Sequence, residues 1–137
     1  MDTTPRPRPD ATLAERRRHL GRLGEDAAAS WLVDAGMEVL ARNWRLRTGA
    51  VRGELDLICR DGDTLVVVEV KTRRTDRFGG PLLAVTRDKQ ERIRALASAF
   101  LRHEQVRAPR VRFDVVGVTV DGGEPGGVHI EHVRQAF

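Results

Sequence analysis

The stretch GELDLICRDGDTLVVVEVKTR, residues 53–73, constrains the fold of this chain more than any other. Two apolar runs flank Asp61-Gly62, a dipeptide suited to a two-residue type I′ turn, so the stretch predicts an antiparallel hairpin. In that register Arg60 faces Asp63, Asp56 lies opposite Val67, and Glu54 lies opposite Glu69. Opposed residues share a sheet face and side chains alternate along each strand, so Glu54, Asp56, Glu69 and Lys71 should project together. Asp56 and Glu69 would be diagonal neighbours, with Cα atoms about 7–8 Å apart. The run LVVV at 65–68 is apolar on both faces, which places its strand centrally in the sheet. Cys59 falls on the other face with Leu55 and Leu57 and reads as a core thiol.

Acids on a central strand need compensation. Two carboxylates about 5 Å apart repel by roughly 3 kcal/mol at an effective dielectric near 20. One ammonium does not neutralise three acids, whereas a divalent cation would. Oxygen ligands with open water positions favour Mg²⁺ or Mn²⁺ over Zn²⁺. The crowding also predicts that Glu69→Gln is inactive yet melts above wild type without metal. Lys71 stands out for another reason: of 24 basic residues, only Lys71 and Lys89 are lysines. A lysine kept in an arginine-rich chain suggests a need for a compact ammonium whose pKa moves readily.

Along the chain, residues 1–11 (with PRPRP) read as a disordered basic tail and 12–137 as one domain. Leu20, Leu23, Ala27, Ala28, Trp31, Leu32 and Ala35 form an apolar stripe that predicts a helix over about Leu13–Ala35, capped by Gly36. Glu25 lies at the border of that stripe. MEVLARNWRLR predicts a first strand, followed by the hairpin and a loop with paired glycines at 74–81. Asp88, with Glu91 three positions on, predicts a capping box opening a second helix that ends near His103. RVRFDVVGVTV and VHIEHV predict two further strands around the loop DGGEPGG. The order is helix, three strands, helix, two strands: an α/β fold with a central mixed sheet flanked by helices. His129 and His132, three apart in a strand, point to opposite faces and make no metal pair.

A net charge of +4 and a pI near 10.4 suggest a polyanionic partner. Aromatic residues are few and Tyr is absent, which argues against a stacking platform for single strands. No apolar run approaches the roughly 20 residues of a membrane span, and the N-terminus lacks a signal-peptide h-region. One cysteine builds neither an intrachain disulfide nor a cysteine metal site. These features set the cytoplasm as the expected compartment.

An acid on one strand followed by Glu-x-Lys on the next resembles the PD-(D/E)xK nuclease superfamily. GRLGEDAAASWL, ARNW, GELDLI, VVVEVKTR, FGGP, AVTRDKQERI, RFDVV and the closing AF together resemble the YraN family within it. The resemblance covers most of residues 20–137. It implies a restriction-endonuclease-like core in which Asp56, Glu69 and Lys71 match the catalytic positions. Glu25 matches a first-helix glutamate near the metal, and Lys89 and Gln90 match second-helix positions that often face the site. The stretch between Trp44 and Gly53 is a few residues longer than the family pattern.

These readings converge on metal-dependent endonucleolytic hydrolysis of nucleic acid, DNA before RNA. Asp56, Glu69 and the Val70 carbonyl would hold Mg²⁺ or Mn²⁺, Lys71 would act on the attacking water, and Glu25 would orient a water. Glu54 is either an accessory acid or an arginine's partner. Arg45, Arg47, Arg73, Arg74, Arg77 and Arg87 are candidate phosphate contacts. A homodimer would suit cutting of two strands. Two rivals are a non-catalytic nucleic-acid-binding domain of the same fold and a basic adaptor that binds protein.

Overall fold

The computed structural model describes residues 8–49, 51–74, 83–121 and 127–137. Most of the basic tail, Arg77, the paired-glycine loop and most of the DGGEPGG loop lie outside them. The elements follow the expected order: α1 (Leu13–Asp34), β1 (Glu38–Arg45), β2 (Glu54–Asp61), β3 (Thr64–Arg74), α2 (Arg87–His103), β4 (Arg110–Val120) and β5 (Val128–Val133). The five strands form one sheet in sequence order, with β3 at its centre. All neighbours are antiparallel except β3 and β4, which run parallel because α2 crosses between them.

Each helix covers one face. Against α1 lie Leu57 and Cys59 of β2, Val66 and Val68 of β3, and Val116 and Val118 of β4, packed on Ala28 and Leu32. Against α2 lie Ile58, Leu65, Val67 and Phe113, packed on Ile93, Leu96, Ala97 and Phe100. A strand buried on both sides explains the unbroken LVVV run. Cys59 is fully buried, and burial, followed by the Asp114 charge, pushes its thiol up to about 11. It is an inert core residue, although Leu55 turns to the opposite face from it.

Two local expectations are corrected. The hairpin pairs Asp61 with Thr64, so its central residues are Gly62-Asp63. Gly62 has φ 61°, the left-handed first position at which a type II′ turn calls for glycine. Asp61 and Gly62 therefore do not form the turn, and Arg60 faces Leu65. Helix α2 begins at Arg87, two residues before the start that an Asp88 cap would set, because Thr86 is the N-cap, its hydroxyl accepting from the Lys89 amide at 3.3 Å. That cap places Lys89 in the first turn, facing the sheet. A capping box does open α1, where Thr12 and Glu15 satisfy each other's backbone amides at 3.1 Å.

Gly24 sets how closely α1 approaches the sheet. It is buried in the helix, and a Cβ placed on it would run into the Thr72 side chain of β3. Gly24→Ala is expected to push α1 off β3 and cost about 1–3 kcal/mol, as overpacked core positions do. Urea denaturation checks this; an unchanged midpoint would show that the contact yields freely.

A buried polar cluster lies where β4, β5 and α1 meet. Asp114, with no exposed surface, accepts from Arg112 Nε at 2.8 Å and the Gln135 amide at 3.0 Å, and contacts His132 Nε2 at 2.8 Å. The Trp31 indole donates to His132 Nδ1 at 3.2 Å, so this arrangement fits the neutral tautomer that carries its proton on Nε2. Burial opposes ionisation of Asp114, but the bonds from Arg112, Gln135 and His132 outweigh it and hold the carboxyl below its ordinary range. His129 and His132 do face opposite ways, yet His132 is a structural link between an edge strand and a helix.

Candidate functional site

The ladder between β2 and β3 ends at Leu57↔Val68, where the next step would set Asp56 against Glu69. Asp56 is therefore not opposite Val67, nor Glu54 opposite Glu69. This two-residue shift alone would keep every side chain on its expected face. Alternation breaks elsewhere. Leu55 packs on the α2 side whereas Leu57 and Cys59 pack on the α1 side, so Asp56 sits at a kink. The neighbouring strand breaks at the same level. Pairs Arg42↔Leu57 and Trp44↔Leu55 form, but Asn43 and Asp56 between them do not pair, and Asn43 has φ 50°. Consecutive residues Arg42 and Asn43 both reach α1, bonding Asp26 at 2.6 Å and Glu25 at 3.2 Å. Paired irregularities of this kind re-aim side chains beside functional sites.

Asp56 consequently fills the split between β2 and β3. Its Oδ2 accepts from the Val70 amide at 2.8 Å. With Glu25, Val70, Thr72, Gly21, Leu20 and Arg17 it lines a cleft of about 340 Å³ on the α1 side. Carboxylate oxygens of Glu25, Glu54 and Asp56 all lie within 4.8 Å of one another, a set that three oxygen-ligating groups could present to one hard cation. Glu54 is an arginine's partner, pairing with Arg45 at 2.9 Å, and its carboxylate also stands in the acidic cluster.

Glu69 and Lys71 follow the intact alternation of β3 to the α2 side, so the four charged residues of the hairpin do not share a face. Glu69 is 7% exposed and forms an ion pair with Lys89 at 2.5 Å. Its charge nevertheless reaches Asp56. Burial, then the Glu69 carboxylate, and to a lesser degree Glu25, raise the Asp56 carboxyl from 3.8 to about 7, against the lowering effect of the Val70 amide and Lys89. Lys71 is held below the ordinary lysine range by burial and by the neighbouring Lys89 ammonium, with Glu69 and Asp56 opposing. The site is thus an acidic half toward α1 and a lysine-bearing half toward α2, joined electrostatically through Asp56.

Of the other expected residues, Val70 borders the cleft, and its amide is the group that fixes Asp56. The Gln90 amide donates to the Val85 carbonyl at 3.0 Å and ties down the segment before α2. Arg73 and Arg74 are half-buried at the end of β3, and Arg47 and Arg87 are exposed. Two residues escaped the sequence reading: Asn43, which positions Glu25, and Arg17, which gives the acidic cleft a basic rim. Asn43 stands in ARNW, where an asparagine interrupting a strand is a signal for left-handed backbone.

A family model described as uncharacterised protein family UPF0102 matches residues 24–118, a span that includes Glu25, Asn43, Asp56, Glu69, Lys71 and Lys89. A relative from Rhodococcus opacus (strain B4), named a UPF0102 protein, is 52% identical over 118 residues, covering 86% of this chain and 95% of its own. One from Acidothermus cellulolyticus, also named a UPF0102 protein, is 47% identical over 137 residues, covering 93% and 99%. A third, from Syntrophus aciditrophicus and with the same name, is 45% identical over 117 residues, covering 85% and 87%.

Proposed function

The chain belongs to the uncharacterised protein family UPF0102, and from the site it carries we propose that it is a cation-dependent endonuclease hydrolysing phosphodiester bonds of nucleic acid. The observation that carries this reading is the convergence of Glu25, Glu54 and Asp56 at a split in the sheet, with Glu69 coupled to Asp56 and two lysines beside it. Three carboxylates so close, one of them pushed to about 7, fit a hard divalent cation such as Mg²⁺ or Mn²⁺. Glu25, Glu54 and Asp56 would hold it, with Glu69 joining once Lys89 releases it. When bound, such an ion supplies Lewis acidity toward the phosphate and the attacking water.

The chain's own groups do the rest. Val70 fixes the Asp56 carboxylate through its amide, and Asn43 fixes Glu25. Lys71, with its pKa lowered, is suited to position the attacking water, take its proton and donate to the charge that develops on phosphorus oxygens. Arg17 at the cleft rim would supply a sequence-independent phosphate contact.

Lys71→Arg is expected to lose nearly as much cleavage as Lys71→Ala, at least about 100-fold, the scale of a lost acid–base group. A guanidinium keeps the charge but holds its proton more tightly than an ammonium whose pKa is lowered, and it does not fit a compact site. Single-turnover rates on labelled DNA check this, and an Arg variant at the wild-type rate would reduce Lys71 to a generic cation. The same assay, with and without Mn²⁺, tests the function itself.

A further inference from the structure

A second cleft, of about 430 Å³, is lined by Arg45, Leu46, Arg47, Val51, Arg52 and Gly53. Its arginines do not hang on a free tether. Leu46 and Val51 pack into the α2-side core, so Arg47 and Arg52 each directly follow an anchored residue. Gly49 and Gly53 take left-handed backbone, with φ 126° and 104°, so the chain can fold back on itself. A Cβ at Gly53 would come within 3.2 Å of Arg92 Nε, so the missing side chain gives room to a fourth guanidinium from α2.

Charge in this cleft is unbalanced. Arg45 pairs with Glu54, which connects the cleft to the acidic cluster. Arg47, Arg52 and Arg92 have no acidic partner among the described residues. Like charges gathered around a concave wall repel until an anion enters, and guanidinium forks match phosphate oxygens in pairs. The opening is large enough for a phosphate with its attached sugar.

We propose that the cleft lined by Arg45, Arg47 and Arg52, with Arg92 against its Gly53 wall, is a phosphate-binding site that holds the nucleic-acid backbone next to the acidic site and works without a metal ion. This rests on the nucleic-acid reading above and adds where the strand is held. Arg45, shared between a phosphate and Glu54, links occupancy of the cleft to the freedom of Glu54 toward a cation.

The test is fluorescence anisotropy of a fluorescein-labelled DNA duplex in EDTA. Wild type is compared with Arg47→Gln/Arg52→Gln/Arg92→Gln and with a charge-matched control, Arg18→Gln/Arg102→Gln/Arg110→Gln, whose exposed side chains line neither cleft. The cleft variant should lose about tenfold or more in affinity. Its plot of log K against log salt should flatten by about one, the contribution of one phosphate contact. The control should lose under about threefold. Arg52→Gln alone should shift affinity in the same direction by less. Inorganic phosphate should compete with wild type and not with the cleft variant. Duplexes with 5′-phosphate and 5′-hydroxyl ends separate the sources. Equal affinity assigns an internal diester, and a preference for the phosphorylated end assigns a terminal phosphate; both support the site. Equal losses for the cleft and control variants overturn it. Binding in EDTA is read apart from any cation-dependent cleavage, so a protein that binds through the cleft and never cleaves loses only the hydrolytic reading. One that cleaves, but whose cleft variant matches the control, loses only this site.

Discussion

Asp56→Asn is expected to raise the melting temperature of the metal-free protein at pH 8, and to remove most of the stabilisation that Mg²⁺ gives the wild type. In the unfolded chain Asp56 ionises near 3.8, whereas in the native protein it keeps its proton until about 7. Between those values the unfolded state releases a proton that the native state retains, so native stability falls as pH rises from about 4 to about 7. Above pH 7 the native state carries a half-buried carboxylate beside two other acids. Asparagine never ionises and keeps the oxygen that accepts from Val70, so its advantage grows through that window and is complete above it. A raised carboxyl of this size corresponds to about 2–4 kcal/mol after allowance for partial solvation. Cation binding must expel the same proton, so the Mg²⁺-induced shift in wild type should grow as pH rises through 7. Melting curves at pH 5 and pH 8, with EDTA or Mg²⁺, check this. A variant that melts below wild type at pH 8 would show that the Asp56 charge is structurally satisfied.

Breaking the Glu69–Lys89 pair should have the opposite sign. Lys89→Met leaves Glu69 buried without its counter-ion, next to Asp56, and is expected to cost about 2–4 kcal/mol in EDTA. Glu69→Gln should cost less, about 1 kcal/mol, because the Lys89 head is one-third exposed and can turn to water. The double variant should be more stable than the sum of the two losses. The expectation that Glu69→Gln melts above wild type is therefore reversed: the acid whose charge is uncompensated is Asp56. Mg²⁺ should stabilise Lys89→Met more than wild type, since the cation would no longer compete with an ammonium for Glu69. Urea melts of the four proteins with and without Mg²⁺ measure all of this. Additive losses would mean that the pair is not coupled.

Much of the fold could be read because burial leaves a periodic trace. LVVV announced a central strand, and RVRFDVVGVTV and VHIEHV marked β4 and β5 at their observed limits. The acids of the site could be read for the same reason, since charge among apolar strands is conspicuous. Their arrangement could not. A turn of Gly62-Asp63 in place of Asp61-Gly62 leaves the local pattern almost unchanged, and both dipeptides contain the glycine that a tight turn needs. The break at Asn43 and Asp56 is set by two neighbouring strands and α1 together, and no window along one strand contains it. Asp114 illustrates the same limit. Its partners Arg112, His132 and Gln135, with Trp31 beyond them, meet only after β5 docks on β4 and α1 covers both.

If the carboxylates gathered around Asp56 make this chain a cation-dependent nuclease, that cluster should control cutting and not binding. The most direct measurement is cleavage of end-labelled branched, duplex and single-stranded DNA by wild type and Asp56→Asn, at pH 8, in Mn²⁺, Mg²⁺ or EDTA. New 5′ or 3′ ends are expected with wild type in Mn²⁺ or Mg²⁺, none in EDTA, and none with Asp56→Asn in any condition while DNA binding persists. Cleavage by Asp56→Asn at the wild-type rate, or a wild type that binds these substrates and cuts none with either cation, would contradict the nuclease reading.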